Sequence, residues 1–496
     1  MTPRKPAPGR TAVRRSISTK PAQETRQDLS PHLKRGMVLE LLIDQMDEEG
    51  SGLGRSAGQL ITVAGTVPQD RCLVRISHVG KRAVFAELIT LIEPSPLRLQ
   101  RPPCSEAALC LGCPLIVMRY GEQLRWKQQQ VQSALSAYPA LQHLQVPRLL
   151  VPERNLGYRT TAKLAVAGSH ADPYIGIYRR ATHDVVDLDE CVVHHPLINK
   201  VIKVVRSGIS KLKVPIWQER NKSGVLRYLV VRVAESTGQV MVTFVTVRRA
   251  FNEIHHLARL LQEQVPEVTV VCQNVNSSEG NVIFGAHDHF LTKQQTLQDR
   301  IGQVQLLISP RSFLQAQRDG ARMLYETALA FSSLNDTGQV LDLYCGIGGI
   351  ALTLAPKATQ VLGIELNKEA VADARRNARL NDASNCRFEA GDVQEMLDDL
   401  LEEGRFFDLI VLNPPRKGCD REVLDKVVKL QPQRMVYVSC SPLTFARDLD
   451  ILAAQGYRCC QVQPVEMFPH TPHVENVAMI ERVSMKNSLT EPQATC

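Results

Sequence analysis

Cys440 closes a short apolar run, Val436-Tyr437-Val438-Ser439-Cys440-Ser441-Pro442, and Glu475 stands in a second unusual stretch, His470-Thr471-Pro472-His473-Val474-Glu475-Asn476-Val477. A thiol and a carboxylate make the minimum kit for covalent catalysis. Cysteine is partly thiolate near neutral pH and intrinsically nucleophilic, and a carboxylate can take or return a proton. Ser-Pro ends the first run, which reads as a buried strand with its thiol at the carboxyl end, where α/β sheets bind ligands. The second stretch also reads as a strand, with a carboxylate among alternating apolar positions. Each has a plainer reading when taken alone. A free cysteine packs as a small hydrophobe, and a strand glutamate is usually a solvated face. Cys345, inside a glycine loop, and Cys419, after a proline-rich one, compete for the nucleophile's role.

The elements that must position these groups begin near residue 311. Apolar runs (Val340-Leu341-Asp342-Leu343, residues 360–365, 407–412 and 435–438) alternate with helical stretches such as 368–380, the pattern of a parallel, doubly wound, Rossmann-like sheet. The first run leads into Tyr344-Cys345-Gly346-Ile347-Gly348-Gly349, whose glycines let backbone approach a ligand. The spacing GxGG is a poor dinucleotide signature. Glu365 ends the next run, where an acid can bridge two ribose hydroxyls. Asp392 ends the third and could read an adenine amino group. Acids at three successive strand ends, with no pyrophosphate cradle, suit a ligand that joins a cationic amino acid to a nucleoside. S-adenosylmethionine is such a ligand; a different small molecule in a similar sheet is the alternative on these residues alone. The fourth run ends in Asn413-Pro414-Pro415-Arg416, a stiff loop presenting the Asn side chain.

Upstream the texture differs. With 496 residues the chain exceeds one core and suggests several domains. Residues 1–32 hold Arg4, Lys5, Arg10, Arg14, Arg15, Lys20 and Arg26 against two acids, and read as a disordered basic arm, with a transit peptide as the alternative. Short strands with a turn at Gly50-Ser51-Gly52-Leu53-Gly54 predict a small β-barrel over 33–97. Residues 98–310 mix helix and strand and form a central domain, followed by 311–496 as the catalytic domain. No run reaches the ~20 apolar residues of a membrane helix, and no secretory apolar segment follows Met1. Thirteen unevenly spaced cysteines argue for metal, cluster or catalytic roles in a reducing, cytoplasmic compartment. Cys104, Cys110 and Cys113 share one loop, with Cys191 far downstream. A four-cysteine zinc site and a four-cysteine iron–sulfur site both fit that count, and His194 or His195 could join a zinc site.

Taken in order, these pieces resemble the RNA uracil-C5 methyltransferase family, in particular its 23S rRNA branch with an iron–sulfur cluster. The resemblance covers nearly everything from Leu33 onward. Residues 33–97 look like the OB-like RNA-binding TRAM module, and Ser312-Phe313-Leu314-Gln315 like the family's cofactor-contacting Gln segment. Residues 342–349 are similar to its motif I, Asn413-Pro414-Pro415-Arg416 to motif IV, Val438-Ser439-Cys440-Ser441-Pro442 to the nucleophile motif, and His473-Val474-Glu475 to the base-bearing motif. The resemblance implies Cys440 as nucleophile and Glu475 as base, with Gln315, Tyr344, Gly349, Glu365, Asp392 and Asn413 around the cofactor. It also implies a [4Fe–4S] cluster on Cys104, Cys110, Cys113 and Cys191, although Ser105 and Leu111 replace a Pro and a Gly of the usual pattern. Gly349 and Asn413 stand where some members have other polar residues. RNA cytosine-C5 methyltransferases carry a second cysteine directly after the motif IV proline; here Arg416 fills that place, which argues for uracil.

The expected activity is methylation of C5 of a uridine in 23S rRNA by a cytoplasmic, monomeric enzyme, with no membrane partner. The same chemistry on a tRNA loop, and a non-catalytic RNA-binding assembly factor, are the alternatives. A reacting ring must leave its stack, so the uridine is flipped or already unpaired. Arg154, Arg159, Lys163, Arg179, Arg180, Arg227 and Arg232 are candidates for phosphate contact. The pairs Tyr158-Arg159 and Arg227-Tyr228 add an aromatic face for a base.

Overall fold

A computed structural model describes residues 33–179, 182–280, 282–335 and 338–483. The basic arm expected over 1–32 lies outside the described residues.

Five strands, β1 (Val38–Met46), β2 (Gly52–Ser56), β3 (Gln59–Val63), β4 (Arg71–Val79) and β5 (Val84–Glu93), close into a barrel in the order β1-β2-β3-β5-β4. Alternation sends Leu41, Ile43, Ile61, Val63, Val74 and Ile76 inward. The turn expected at residues 50–54 is shorter than its glycines suggested. Gly50 turns at φ +74°, but Gly52 already begins β2. Gly52 and Gly54 serve close packing instead: a Cβ on Gly52 would lie 2.1 Å from Thr66 Oγ1, and one on Gly54 would lie 2.4 Å from the Leu42 carbonyl.

After the barrel come α1 (Ala107–Cys110) and α2 (Tyr120–Ser136). The central sheet uses β6 (Thr161–Gly168), β7 (Pro173–Tyr178), β8 (Val185–Asp187), β9 (Leu226–Ala234), β10 (Gln239–Thr246), β11 (Val268–Val275) and β12 (His287–Phe290), in the order β12-β11-β10-β9-β6-β7-β8. The helices α3 (Pro196–Lys211) and α4 (Glu253–Gln264) bury their apolar stripes on one face of it. A hairpin, β13 (Leu297–Ile301) and β14 (Val304–Ile308), joins this unit to the last one.

The C-terminal sheet runs β17-β16-β15-β18-β19-β21-β20. Its strands are β15 (Gly338–Leu343), β16 (Ala358–Glu365), β17 (Cys386–Ala390), β18 (Leu409–Leu412), β19 (Arg434–Ser439), β20 (Tyr457–Val465) and β21 (Glu475–Arg482). The first five are parallel and β21 is antiparallel to both neighbours. Helices α5 (Arg318–Ser332), α6 (Gly349–Leu354) and α7 (Lys368–Leu380) pack on one face; α8 (Val393–Glu402), α9 (Arg421–Lys429) and α10 (Pro442–Ala453) pack on the other. Both faces are covered, so strands such as Leu409–Leu412 are apolar throughout. Although α2 precedes the central sheet in sequence, it packs on α10 and buries Val131, Ala134 and Leu135 in the C-terminal core.

Strand β21 starts at Glu475, not near His470 as the alternation suggested. Residues 470–474 turn instead, with His470 at φ +67°.

Candidate active site

Strand order reverses between β15 and β18, which opens a crevice at the carboxyl ends of the parallel strands. A cavity of about 700 Å³ lies there. Tyr344 follows β15, Glu365 ends β16, Asp392 lies just past β17, Asn413 follows β18 and Cys440 follows β19. All five line the cavity, together with Gln315, Gly349 and Glu475. Eight positions singled out in the sequence therefore meet in one pocket.

The pairing of β19 with β21 ends with Ser439 opposite Asn476, which leaves Cys440 and Glu475 as the next residues on the two chains, and the Glu475 charge acts on the Cys440 thiol. Thiol and carboxylate therefore line one cavity within electrostatic reach of each other. Burial, with the Glu475 charge adding to it, pushes the Cys440 thiol up to about 11 against the opposing Arg416 guanidinium. Burial likewise lifts Glu475 to about 7, again against Arg416. Arg416 also reaches His473 Nε2 at 3.1 Å. Burial and then Arg416 hold His473 down at about 4, so its ring is neutral. The rival thiols sit differently. Cys419 is buried between Tyr344 and Tyr437 and does not line the cavity. Cys345 reaches the cavity wall but packs in the core, where burial raises it well above the ordinary thiol value.

At the other end of the cavity are two buried oxygens without partners, Gln315 Oε1 and Asp342 Oδ1. Buried acceptors of this kind call for a donor. Asp342 sits at about 7, lifted by burial against the Ala351 N–H, with Glu365 adding to the rise. Glu365 accepts from the N–H groups of Gly346 (3.1 Å) and Asn367 (2.9 Å), which tie the glycine loop to β16. Asp392 caps α8 through the Gln394 N–H at 2.9 Å. Gly349 has no room for a side chain: a Cβ would lie 2.4 Å from Tyr325 Oη. Phe313 stands 69% exposed at the rim. Arg416, His473 and Phe468 are cavity residues that the motifs contained or passed over without a role being given to them. The Pro-Pro-Arg run and the histidine two places before Glu475 were the available signals for two of them.

Away from the cavity, Cys104, Cys110, Cys113 and Cys191 are free and half-buried. The first three each feel the charge of Cys191, so the four lie within electrostatic reach of one another. Asn199 clamps Cys191, accepting from its N–H (3.2 Å) and donating to its carbonyl (3.0 Å). Among the described residues no three His, Cys, Asp or Glu side chains converge on a site for a single ion. The two histidines are engaged elsewhere: His195 Nδ1 caps α3 at the Leu197 N–H, and His194 is buried beside Asn199.

Several expected RNA contacts are corrected. Arg232 is buried, donating to the Ser309 and Ser312 carbonyls. Arg227 is buried against Glu219 and the Asn276 and Ser278 carbonyls. Tyr158, 1% exposed, donates to the Pro469 carbonyl, and Tyr228 packs under the sheet. All four are buried, so none of them presents its side chain to an RNA at the surface. Arg154 pairs with Glu235, Lys163 lies 5.5 Å above the Phe284 ring, Arg159 is half-buried and donates to the Thr161 carbonyl, Arg179 is exposed, and Arg180 lies outside the described residues.

Comparison with known proteins gives a consistent picture. A family model described as tRNA (uracil-5-)-methyltransferase matches residues 119–483. An uncharacterized RNA methyltransferase of Geobacter sulfurreducens is 52% identical over 464 residues, covering 94% of both chains. One from Halalkalibacterium halodurans is 36% identical, over 90% of this chain and 97% of its own. Among solved structures, the Pyrococcus abyssi tRNA (uracil-54, C5)-methyltransferase in complex with S-adenosyl-L-homocysteine superposes with TM-score 0.72 at 28% identity. That match covers 89% of this chain and 100% of the other.

Proposed function

The chain belongs to the tRNA (uracil-5-)-methyltransferase family, and on that premise we propose that it methylates C5 of an RNA uridine through a covalent bond to Cys440. The observation that carries this reading is the register of β19 and β21, which sets Cys440 against Glu475 in the same cavity as the acidic strand ends.

S-adenosylmethionine, when bound, supplies the methyl group as a sulfonium. Gln315 Oε1 and Asp342 Oδ1 are free to accept from its ammonium, Glu365 from ribose hydroxyls, and Asp392 from an adenine amino group. Tyr344, Gly349 and Asn413 complete the wall. On the uridine side, the Cys440 thiolate adds to C6, and the electron pair pushed onto the ring makes C5 nucleophilic enough to take the methyl. Arg416 is the cation that draws the thiol down against burial, favouring the thiolate. Glu475 then removes the C5 proton, the C5–H electron pair re-forms the C5=C6 double bond, and the C6–S bond breaks with its own pair leaving on the Cys440 thiolate. A carboxyl group poised near 7 suits proton removal at neutral pH.

For the cysteine loop the proposal is a [4Fe–4S] cluster on Cys104, Cys110, Cys113 and Cys191. The three loop thiols each feel the charge of Cys191, and the resemblance to the iron–sulfur branch favours a cluster over zinc at these four positions. Methyl transfer requires no electrons, so such a cluster would order the protein or its RNA. The barrel reads as a TRAM module. The RNA is proposed to be 23S rRNA in the cytoplasm, on the combination of barrel and cysteine loop. A tRNA loop is the second reading, favoured by the archaeal tRNA enzyme, whose match is too extensive to leave out the barrel. Mapping 5-methyluridine in rRNA and tRNA of a deletion strain decides between them.

The test of the chemistry is incorporation of labelled methyl into unmodified RNA by wild type and by Cys440→Ala. The variant should lose at least ~10³-fold. Equal incorporation would remove Cys440 from the reaction, and none by either protein would make the chain an RNA-binding protein.

A further inference from the structure

Residues 466–474 join β20 to β21 and bring Phe468 and His473 into the cavity. The groups that hold this segment come from 115–158, more than three hundred residues earlier. Lys127, fully buried on α2, spends all three ammonium protons on it: Glu466 Oε1 at 2.7 Å, Glu466 Oε2 at 2.8 Å and the Phe468 carbonyl at 3.0 Å. Glu466 Oε1 in turn accepts from the Phe468 N–H at 3.1 Å. One turn earlier on α2, Gln123 Oε1 accepts from the His470 N–H at 3.1 Å, and its amide nitrogen faces His470 Nδ1 at 3.2 Å. The Leu115 N–H donates to the His470 carbonyl at 3.0 Å and Tyr158 Oη to that of Pro469. At the centre His470 stands at φ +67°, a left-handed backbone that a non-glycine residue keeps only where its surroundings hold it.

We propose that Lys127 and Gln123 are positioning residues, whose bonds to residues 466–470 hold Phe468 and His473 across the cavity and keep water from Cys440 and Glu475. Buried ion pairs contribute little net stability compared with neutral replacements of similar shape, so stability alone does not account for this one. Its bonds go to the backbone of one irregular segment, and that segment forms one wall of the reaction pocket. Arg416, from the loop after β18, is the charged group that acts on both Cys440 and Glu475, and His473 of that wall lines the same cavity and meets Arg416. Freeing the segment changes how much water reaches all of them.

The functional half of this proposal rests on the methyl-transfer reading; the structural half does not. The experiment uses the full chain as wild type, as Lys127→Met combined with Glu466→Gln, and as Gln123→Leu. The double substitution removes both charges and should fold with little change in Tm. In both variants hydrogen exchange at amides 466–473 should rise at least ~10-fold. Alkylation of Cys440 at pH 8, read site by site by mass spectrometry, should rise ~10-fold or more, because a hydrated thiol returns toward its ordinary pKa. Turnover should fall ~10-fold, with KM for S-adenosylmethionine within ~2-fold. A folded variant with wild-type exchange and wild-type Cys440 reactivity overturns the proposal. If wild type forms no adduct with 5-fluorouridine RNA, the methyl-transfer reading fails instead, and exchange and alkylation still decide the clamp.

Discussion

Glu475 owes its chemistry to where it is buried. A carboxylate held near 7 is half ionised at neutral pH, so the release step should slow as pH falls through 7 and level off above it. Glu475→Gln should still allow Cys440 to attach to RNA but stall release, leaving a covalent protein–RNA adduct on denaturing gels. Normal turnover without adduct would exclude Glu475 as the base. The same burial has a stability consequence whose sign is fixed. Native Glu475 binds its proton more tightly than the unfolded chain does, so it carries no penalty below about 4.5 and the full penalty above about 7. Glu475→Gln should therefore raise stability by ~1–3 kcal/mol at pH 8 and by nothing at pH 4.5, as followed by thermal melts at both values.

Strands and loops decide whether such groups meet. The glycine loop is held by Glu365 below and Tyr325 behind, and Gly349 has no space for even a methyl. Gly349→Ala should push Tyr325 or α6 aside and weaken S-adenosylhomocysteine binding at least ~10-fold by calorimetry; unchanged affinity would mean that the helix start yields without cost. The parallel strands and the residues at their ends were legible in sequence because their apolar runs are continuous and a chemical residue follows each run at once. Residues 368–380 match α7 residue for residue, since an Asn cap precedes an amphipathic stripe there. What escaped was set by tertiary contact. The register that pairs Cys440 with Glu475 cannot be read from either strand, and the turn over 470–474 keeps strand-like alternation while its backbone is pinned from α2. Residues 120–138 read as polar and Gln-rich with helical spacing, so nothing in that sequence shows that Gln123 and Lys127 of the helix point inward. Arg227 and Arg232 were misread for the same reason: cations look solvated until carbonyls are found to surround them.

Over the whole molecule, the four cysteines lie on a seam. Cys104 and Cys113 pack against a small core that contains Met46 and Val67 of the barrel region, whereas Cys110 and Cys191 pack against the core of the central sheet. Thiols on both sides of a junction mean that whatever joins them also fastens the barrel to the central sheet, and none of the four lines the methyl-transfer pocket. Two consequences separate this role from a catalytic one. Anaerobically prepared protein should be brown, with broad absorption near ~400 nm that is lost in Cys191→Ser. Removing the proposed cluster should open the 94–114 connection to protease and weaken RNA binding at least ~10-fold, because barrel and central sheet would no longer present one surface, yet leave S-adenosylhomocysteine affinity within ~2-fold. Colourless protein with stoichiometric zinc would reverse the metal assignment, and an equal loss of S-adenosylhomocysteine affinity would show that the seam supports the catalytic sheet as well.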